Sequence, residues 1–400
     1  MSNFQSSNFQ SIFSFVLPTK IIFGPGCVKT ISEQLSELCI TRPLVVTDAG
    51  VSAAGVLDKV LAALPGNVGY KVFDGVEANP KDVNVAAGAE VYRAFGADSL
   101  VAAGGGSPID CAKSIGVLVA NGAPDIKAFE GKNRPSRPLP PLVAVPTTSG
   151  TGSELTFSSV ITDTRNNYKM TVKNAYTAPK IALCDPELTL TVPPAVTAAT
   201  GMDALTHAIE AFTATCSEPI SDAAALYAIE LISQSLIPAY KNGRDLEARS
   251  RMLMGSMLGG IAFSHSDVAS VHCIAEALGG MYDLPHGVCN AVFLPYVMEY
   301  NMAYCEDRYA RVAKAMGIFC GRDGVPLSET SHMPLLAQAA VDAVKQFALD
   351  VKIPSFASLK IDPSDYSKIA ASSAKNISTA SNPRPMTEWD YMTVLNMAKG

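Results

Sequence analysis

The chain has 400 residues, 48% of them hydrophobic and 17% charged, with a formal net charge of −6. That length accommodates two domains with filled cores, and the composition excludes a disordered chain. The acidic balance argues against a nucleic-acid partner, and the basic residues at 131–137 are spread through Gly-Lys-Asn-Arg-Pro-Ser-Arg, a solvated loop.

In chain order, residues 2–5 and 7–10 repeat Ser-Asn-Phe-Gln without a basic n-region or an apolar core, so no signal peptide is expected. Short β-rich runs follow at 20–23, 43–47, 70–73, 99–103, 142–146 and 180–184. Helical patterns lie between them near 28–38, 52–64, 81–96 and 108–120. Alternating β and α segments imply a doubly wound parallel sheet, which binds ligands at the carboxyl ends of its strands. After Pro193-Pro194 the pattern changes to helices at 203–214, 218–237, 245–263, 269–279, 303–316 and 333–348. The expected organisation is an α/β dinucleotide-binding domain over 1–192 and an all-helical metal-binding domain over 193–400, with the site in the cleft between them.

The longest apolar stretch, near 252–263, is too short for a membrane span, so a soluble protein without a membrane partner is expected. Nine cysteines lack CxxC spacing, and Cys111, Cys184 and Cys289 lie in apolar runs. Reduced core thiols in a cytoplasm fit that pattern.

Two loops are candidates for the cofactor. Strand 99–103 runs into Gly104-Gly105-Gly106 and a helix start at Ser107-Pro108, where small residues and helix amides suit a phosphate. Strand 142–146 runs into Thr147-Thr-Ser-Gly-Thr-Gly-Ser-Glu, rich in hydroxyl groups. Neither is a GxGxxG fingerprint, and either alone is more often a plain tight turn. Two on one sheet favour a dinucleotide. Asp48, at the end of the 43–47 strand, suits an adenosine ribose and NAD over NADP, or else caps a helix.

Asp203 and His207 stand four apart in an alanine-rich helical stretch and share a face. His272 sits in a second helical run that is expected to stop at Gly279-Gly280, and His286 follows on a loop marked by Pro285 and Gly287. One carboxylate and three imidazoles suit Fe(II) or Zn(II) better than Mg(II) or Ca(II). Spacing alone leaves an ordinary helix-surface pair and a loop histidine as alternatives.

The motifs Phe15-Val-Leu-Pro-Thr-Lys-Ile-Ile-Phe-Gly-Pro-Gly, Asp74-Gly-Val-Glu-Ala-Asn-Pro, Gly104-Gly-Gly-Ser-Pro, Pro146-Thr-Thr-Ser-Gly-Thr-Gly-Ser-Glu, Gly201-Met-Asp-Ala-Leu-Thr-His-Ala-Ile-Glu, Leu284-Pro-His-Gly and Ser381-Asn-Pro-Arg span nearly the whole chain. In combination they resemble the iron-containing (group III) alcohol dehydrogenases, a family that includes lactaldehyde reductase and propanediol dehydrogenase. The resemblance implies an α/β domain followed by a helical iron-binding domain, often in a homodimer. It places metal ligands on Asp203, His207, His272 and His286. It places NAD contacts on Asp48, Asn79, Gly105, Gly106, Ser107, Thr147, Thr148 and Lys169. Of these, Lys169 would otherwise read as a surface lysine.

Two departures concern the substrate. Many relatives carry a histidine where this chain has Glu276, one turn after His272, and commonly an asparagine where it has His265. On a continuous helix His265 would share the face of His272. Both are expected in the pocket wall, or Glu276 in a proton relay, with an ion pair or ordinary helix charges as the alternative. The reaction expected is hydride transfer between NAD(H) and a small primary alcohol or its aldehyde, with Fe(II), or else Zn(II), as Lewis acid on the substrate oxygen. A lyase that uses NAD catalytically and a non-catalytic sensor are the rivals.

Overall fold

A computed structural model describes residues 12–319 and 333–400. The Ser-Asn-Phe-Gln repeat lies outside the described residues. The strands are β1 (Lys20–Phe23), β2 (Pro43–Asp48), β3 (Lys71–Val76), β4 (Ser99–Gly104), β5 (Gly131–Lys132), β6 (Leu142–Pro146), β7 (Ser158–Asp163), β8 (Tyr168–Lys173) and β9 (Ile181–Cys184). The helices are α1 (Ile31–Glu37), α2 (Ala49–Ala53), α3 (Val56–Ala63), α4 (Asp82–Phe95), α5 (Gly106–Asn121), α6 (Pro194–Thr213), α7 (Pro219–Lys241), α8 (Leu246–Ser266), α9 (Ser270–Tyr282), α10 (His286–Ala315), α11 (Met333–Asp350), α12 (Tyr366–Lys375) and α13 (Glu388–Lys399).

The chain forms two compact units, one of residues 16–192 with 243–253, the other of the remainder. In the first, six parallel strands run in the order β1-β9-β6-β4-β2-β3. The three strands in the middle of the chain's glycine and threonine loops, β2, β4 and β6, are neighbours, with Val46 beside Ala102 and Gly104 beside Pro146. Every residue of β4 and β6 is buried, which explains their unbroken apolar runs: a strand covered by helices on both faces has no solvent side to alternate with. Because the three are parallel, the loops that follow them leave at one end of the sheet.

Sequence patterning missed the smaller sheet, β5-β8-β7, in which β7 and β8 form an antiparallel hairpin. Its strands carry Thr, Ser and Lys among few apolar residues, so the hydrophobic alternation is weak. The hairpin is tied to the segment after β3 by Thr162 N–H donating to Pro80 O at 2.8 Å.

Among its described residues the second unit has helices and connecting loops but no strand. α6 is buried from Gly201 to Thr213, packed against α7 and α10, while α9 packs against α10 and α12. Three expectations are corrected here. α9 does not stop at Gly279-Gly280 but runs to Tyr282, where Asp283 takes the left-handed conformation (φ 52°) that ends it. His286 is not a loop residue but the first residue of α10, with Pro285 as N-cap, a place where proline's missing N–H costs nothing. α8 and α9 are not one helix, since Asp267 has φ 70° between them. α7, not the 252–263 stretch, is the described helix long and apolar enough to cross a membrane; half of that window is buried in the unit.

Candidate metal centre and cofactor loops

In the helical unit, the i, i+4 spacing on α6 brings Asp203 and His207 to one face, as their sequence predicts. His272 comes from the first turn of α9 and His286 from the first residue of α10. Ligand-type atoms of Asp203, His207 and His272 lie within 4.8 Å of one another. His286 Nε2 is 3.8 Å from Asp203 Oδ1, and His272 Nε2 is 3.9 Å from the same oxygen. Asp203, His207 and His272 are buried and His286 is half-buried. The four residues are thus brought together.

Asn290, one turn into α10, was not singled out by the sequence. Its Nδ2 lies 2.6 Å from Asp203 Oδ1, 3.0 Å from His272 Nε2 and 3.2 Å from His286 Nε2. One amide therefore donates toward the point on which three acceptors converge, while its buried Oδ1 has no hydrogen-bond partner among the described residues. Acceptors aimed at one buried point are what a cation requires, and the donor set of one carboxylate and three imidazoles fits a divalent transition metal.

Close packing lets α10 start where it does. A Cβ on Gly287 would stand 2.5 Å from the carbonyl oxygen of Ala199 and 3.3 Å from Asp203 Cβ. Glycine after His286 therefore allows the first turn of α10 to lie against α6. Pro285-His286-Gly287 therefore marks a closely packed helix start and not the loop expected from its proline and glycine.

Glu210, a third residue on the α6 face, was also missed. Its Oε2 lies 2.5 Å from His272 Nδ1, and its carboxylate also accepts from the Ala269 and Val271 N–H groups at 2.9 and 2.7 Å. Burial opposes charging of His272, but the hydrogen bond and charge of Glu210, with Asp203 and Glu276 beyond, outweigh it and raise its pKa above the ordinary value.

Glu276 accepts a hydrogen bond from Asn376 Nδ2 at 2.6 Å. His265, in the last turn of α8, has Nδ1 2.8 Å from Ile261 O and stacks on Phe15 with ring centroids 3.9 Å apart. The shared face with His272 expected of a continuous helix does not exist, because the chain turns at Asp267.

In the α/β unit, Asp48 caps α2, its Oδ1 accepting from Val51 N–H at 2.9 Å. The β4 and β6 loops touch: a Cβ on Gly105 would stand 2.9 Å from Thr148 Oγ1, and one on Gly106 2.6 Å from Thr151 Cγ2. Thr147 N–H donates to Gly104 O at 3.0 Å. Ser107 lies in the first turn of α5. Lys169, on β8, donates from Nζ to Asn79 Oδ1 at 2.7 Å, so the two residues that pattern alone did not join are in contact. Asn79 itself has φ 52°.

Beneath these loops lies an internal polar network that sequence reading also missed. Lys113 is fully buried, and its Nζ donates to Ser153 Oγ, Thr156 Oγ1 and the Ser158 carbonyl at 3.0, 2.8 and 2.8 Å. Asp110 accepts from Ser153 Oγ at 2.5 Å and from Val160 N–H at 2.9 Å. Burial pushes the Lys113 ammonium down to about 8 and the Glu154 carboxyl up to about 7. An Asp-x2-Lys pair in an apolar helix was the available clue.

Comparison with known proteins agrees with this architecture. Residues 18–186 match a family model described as iron-containing alcohol dehydrogenase, and residues 197–398 match its C-terminal counterpart. The chain is 38% identical over 391 residues to 1,3-propanediol dehydrogenase of Citrobacter freundii, covering 97% of this chain and 99% of that one. It is 35% identical over 387 residues to NAD-dependent methanol dehydrogenase of Bacillus methanolicus, covering 96% and 99%. A crystal structure of 1,3-propanediol oxidoreductase superposes with a TM-score of 0.91 at 37% identity, covering 97% and 100%. Sulfoacetaldehyde reductase of Bifidobacterium kashiwanohense, in complex with NAD+, does so with 0.84 at 26%, covering 97% and 99%.

The family matches, together with an α/β unit and a helical unit that carries a possible metal site, make this chain an oxidoreductase. The chain belongs to the iron-containing alcohol dehydrogenase family, whose members include NAD-dependent alcohol dehydrogenases and aldehyde reductases.

Proposed function

We propose that this dehydrogenase interconverts a small primary alcohol and its aldehyde with NAD(H), using Fe(II) rather than Zn(II) at Asp203, His207, His272 and His286. The observation that carries this is the convergence of one carboxylate and three imidazoles on a buried point within the helical unit. A divalent ion held there supplies Lewis acidity toward the substrate oxygen. Asp203 contributes the negative charge of the ligand set, and the histidines contribute neutral donors once deprotonated.

For NAD(H) we propose Asp48, Asn79, Gly105, Gly106, Ser107, Thr147, Thr148 and Lys169. Supporting this are the place of Asp48 at the end of β2 and of Asn79, Gly105, Gly106, Ser107, Thr147 and Thr148 after β3, β4 and β6, with Lys169 of β8 joined to Asn79. The bare Cα faces of Gly105 and Gly106 and the N-terminus of α5 suit a pyrophosphate, and the Asp48 carboxylate disfavours a 2′-phosphate.

Glu276 and His265 are proposed as pocket residues that select the substrate, with Glu276 binding its polar tail or relaying the alcohol proton. Support for Glu276 comes from its place one turn after His272 and from its influence on the charge of that histidine. Glu276→Gln should then shift the pH profile of turnover or reorder substrate preference; unchanged kinetics across substrates and pH would remove Glu276 from the mechanism. A cytoplasmic homodimer is the proposed setting, on the family resemblance and the buried thiols of Cys111, Cys184 and Cys289, which form no disulfide.

NADH absorbance, followed with anaerobically Fe(II)-loaded protein against short aldehydes bearing neutral, anionic or cationic tails, tests the reaction. Decay that ranks the panel is expected. No decay with any member, with metal and NADH bound, would overturn it. The same assay after Zn(II) loading compares the two metals.

A further inference from the structure

The metal site has a ligand-orienting carboxylate of its own. We propose that Glu210 is a positioning residue that holds His272 as the Nδ1–H tautomer and presents Nε2 to the metal, an inference that rests on reading Asp203, His207, His272 and His286 as ligands.

Asp203, His207 and Glu210 stand at i, i+4 and i+7 on α6, so one stripe of one helix carries two ligands and a third carboxylate. Glu210 is 3% exposed. Its partners are the Ala269 and Val271 N–H groups, which can only donate, and His272 Nδ1 at 2.5 Å. An ionised carboxylate can only accept, so the proton of that contact belongs to Nδ1.

A second contact, on the far side of the ring, gives the same answer. Asn290 Nδ2 approaches His272 Nε2 at 3.0 Å, and an amide NH2 can only donate, so Nε2 offers a lone pair. Two hydrogen bonds from different elements, α6 and α10, thus select one tautomer. The lone pair that results lies on the atom 3.9 Å from Asp203 Oδ1, inside the ligand cluster.

Glu210 also sets the place of the ring. Ala269 and Val271 are the residues on either side of the first residue of α9, whose early N–H groups have no partners within the helix. By accepting from them the carboxylate fixes where α9 begins, and His272 is its third residue. Backbone and ring are positioned by one side chain. Partners of this kind on metal-binding histidines orient the imidazole and raise its basicity, and their loss costs 10–100-fold in metal affinity.

The test uses Glu210→Gln in the full chain, with Co(II) or Zn(II) affinity measured by chelator competition. A 10–100-fold loss of affinity in protein that keeps its far-UV spectrum is expected. A purely structural Glu210 would lower the melting temperature of the metal-free protein and leave affinity unchanged, and that result overturns the proposal. If the variant does not fold, wild-type protein decides. The chain has five histidines, so a 15N-histidine spectrum of the Zn(II)-loaded form is sparse, with His272 assigned by His272→Gln. A retained Nδ1 proton with Nε2 metallated supports the proposal, and metal on Nδ1 refutes it. Failure of the underlying ligand reading looks different: wild-type affinity would be insensitive to His207→Ala and His286→Ala, and both readings would fall together.

Discussion

Glu154 shows how far a single buried group can depart from its sequence appearance. In the row Ser-Gly-Thr-Gly-Ser-Glu it reads as a polar loop residue, yet it is 2% exposed and its Oε1 has no hydrogen-bond partner among the described residues. Burial moves its carboxyl from an ordinary 4.5 to about 7 in the folded protein. A folded-state value above the unfolded one means that its contribution to stability is complete below pH 4.5 and is lost as pH rises through 7. Glu154→Gln removes this titration. Relative to wild type, the variant should gain up to about 3 kcal/mol between pH 4.5 and pH 8, from 1.36 kcal/mol per pKa unit. Thermal melts of both proteins at the two pH values measure it, and a gap that does not change with pH would show that Glu154 does not titrate in the fold.

At the scale of elements, the loops after β4 and β6 hold each other through contacts that leave no room for a side chain. Gly106→Ala would place a Cβ 2.6 Å from Thr151 Cγ2. Overpacking of this kind costs about 1–3 kcal/mol. The proposed cofactor role adds a second expectation, weaker NADH binding by fluorescence titration. Because the shortest contact is with the Thr151 methyl group, while Oγ1 and Cβ stand at 3.0 and 3.2 Å, Gly106→Ala with Thr151→Ser should recover part of both losses; no recovery would place the strain elsewhere. The network of Asp110 and Lys113 connects the same loop and β7 to α5, so the parts that carry Gly106, Thr147 and Thr148 are braced from beneath by buried ion and hydroxyl groups. α6, α9 and α10 are braced in an analogous way, by Glu210 and Asn290.

For the whole molecule, the proposed ligands come from three helices of the helical unit, so bound metal should raise the stability of that unit. A ligand at 100 times its dissociation constant adds about 2.7 kcal/mol. For a unit of roughly 200 residues that is a shift of about 5–10 °C. Calorimetry of metal-loaded and chelator-stripped protein should show that fall in melting temperature, and His286→Ala should abolish most of the difference. Equal melting of the loaded and stripped forms would contradict a structural contribution from these ligands.

The sequence alone determined what depends on local order. Short β-rich runs located the six strands of the parallel sheet, most plainly β4 and β6, where burial on both faces favours apolar residues throughout. The i, i+4 rule joined Asp203 to His207, because helical periodicity fixes which side chains share a face. Motif resemblance supplied Asn79 and Lys169, which no periodicity connects. What only tertiary structure decided was everything set by packing between distant segments. Pro285 and Gly287 resemble a turn until α6 is seen against α10, where glycine removes a clash with Ala199. Glu210 and Asn290 resemble ordinary helix residues until the folded chain brings them to opposite nitrogens of His272, 62 and 18 residues away. A hydrogen bond between remote side chains leaves no mark on the pattern around either one, so its existence is a property of the fold.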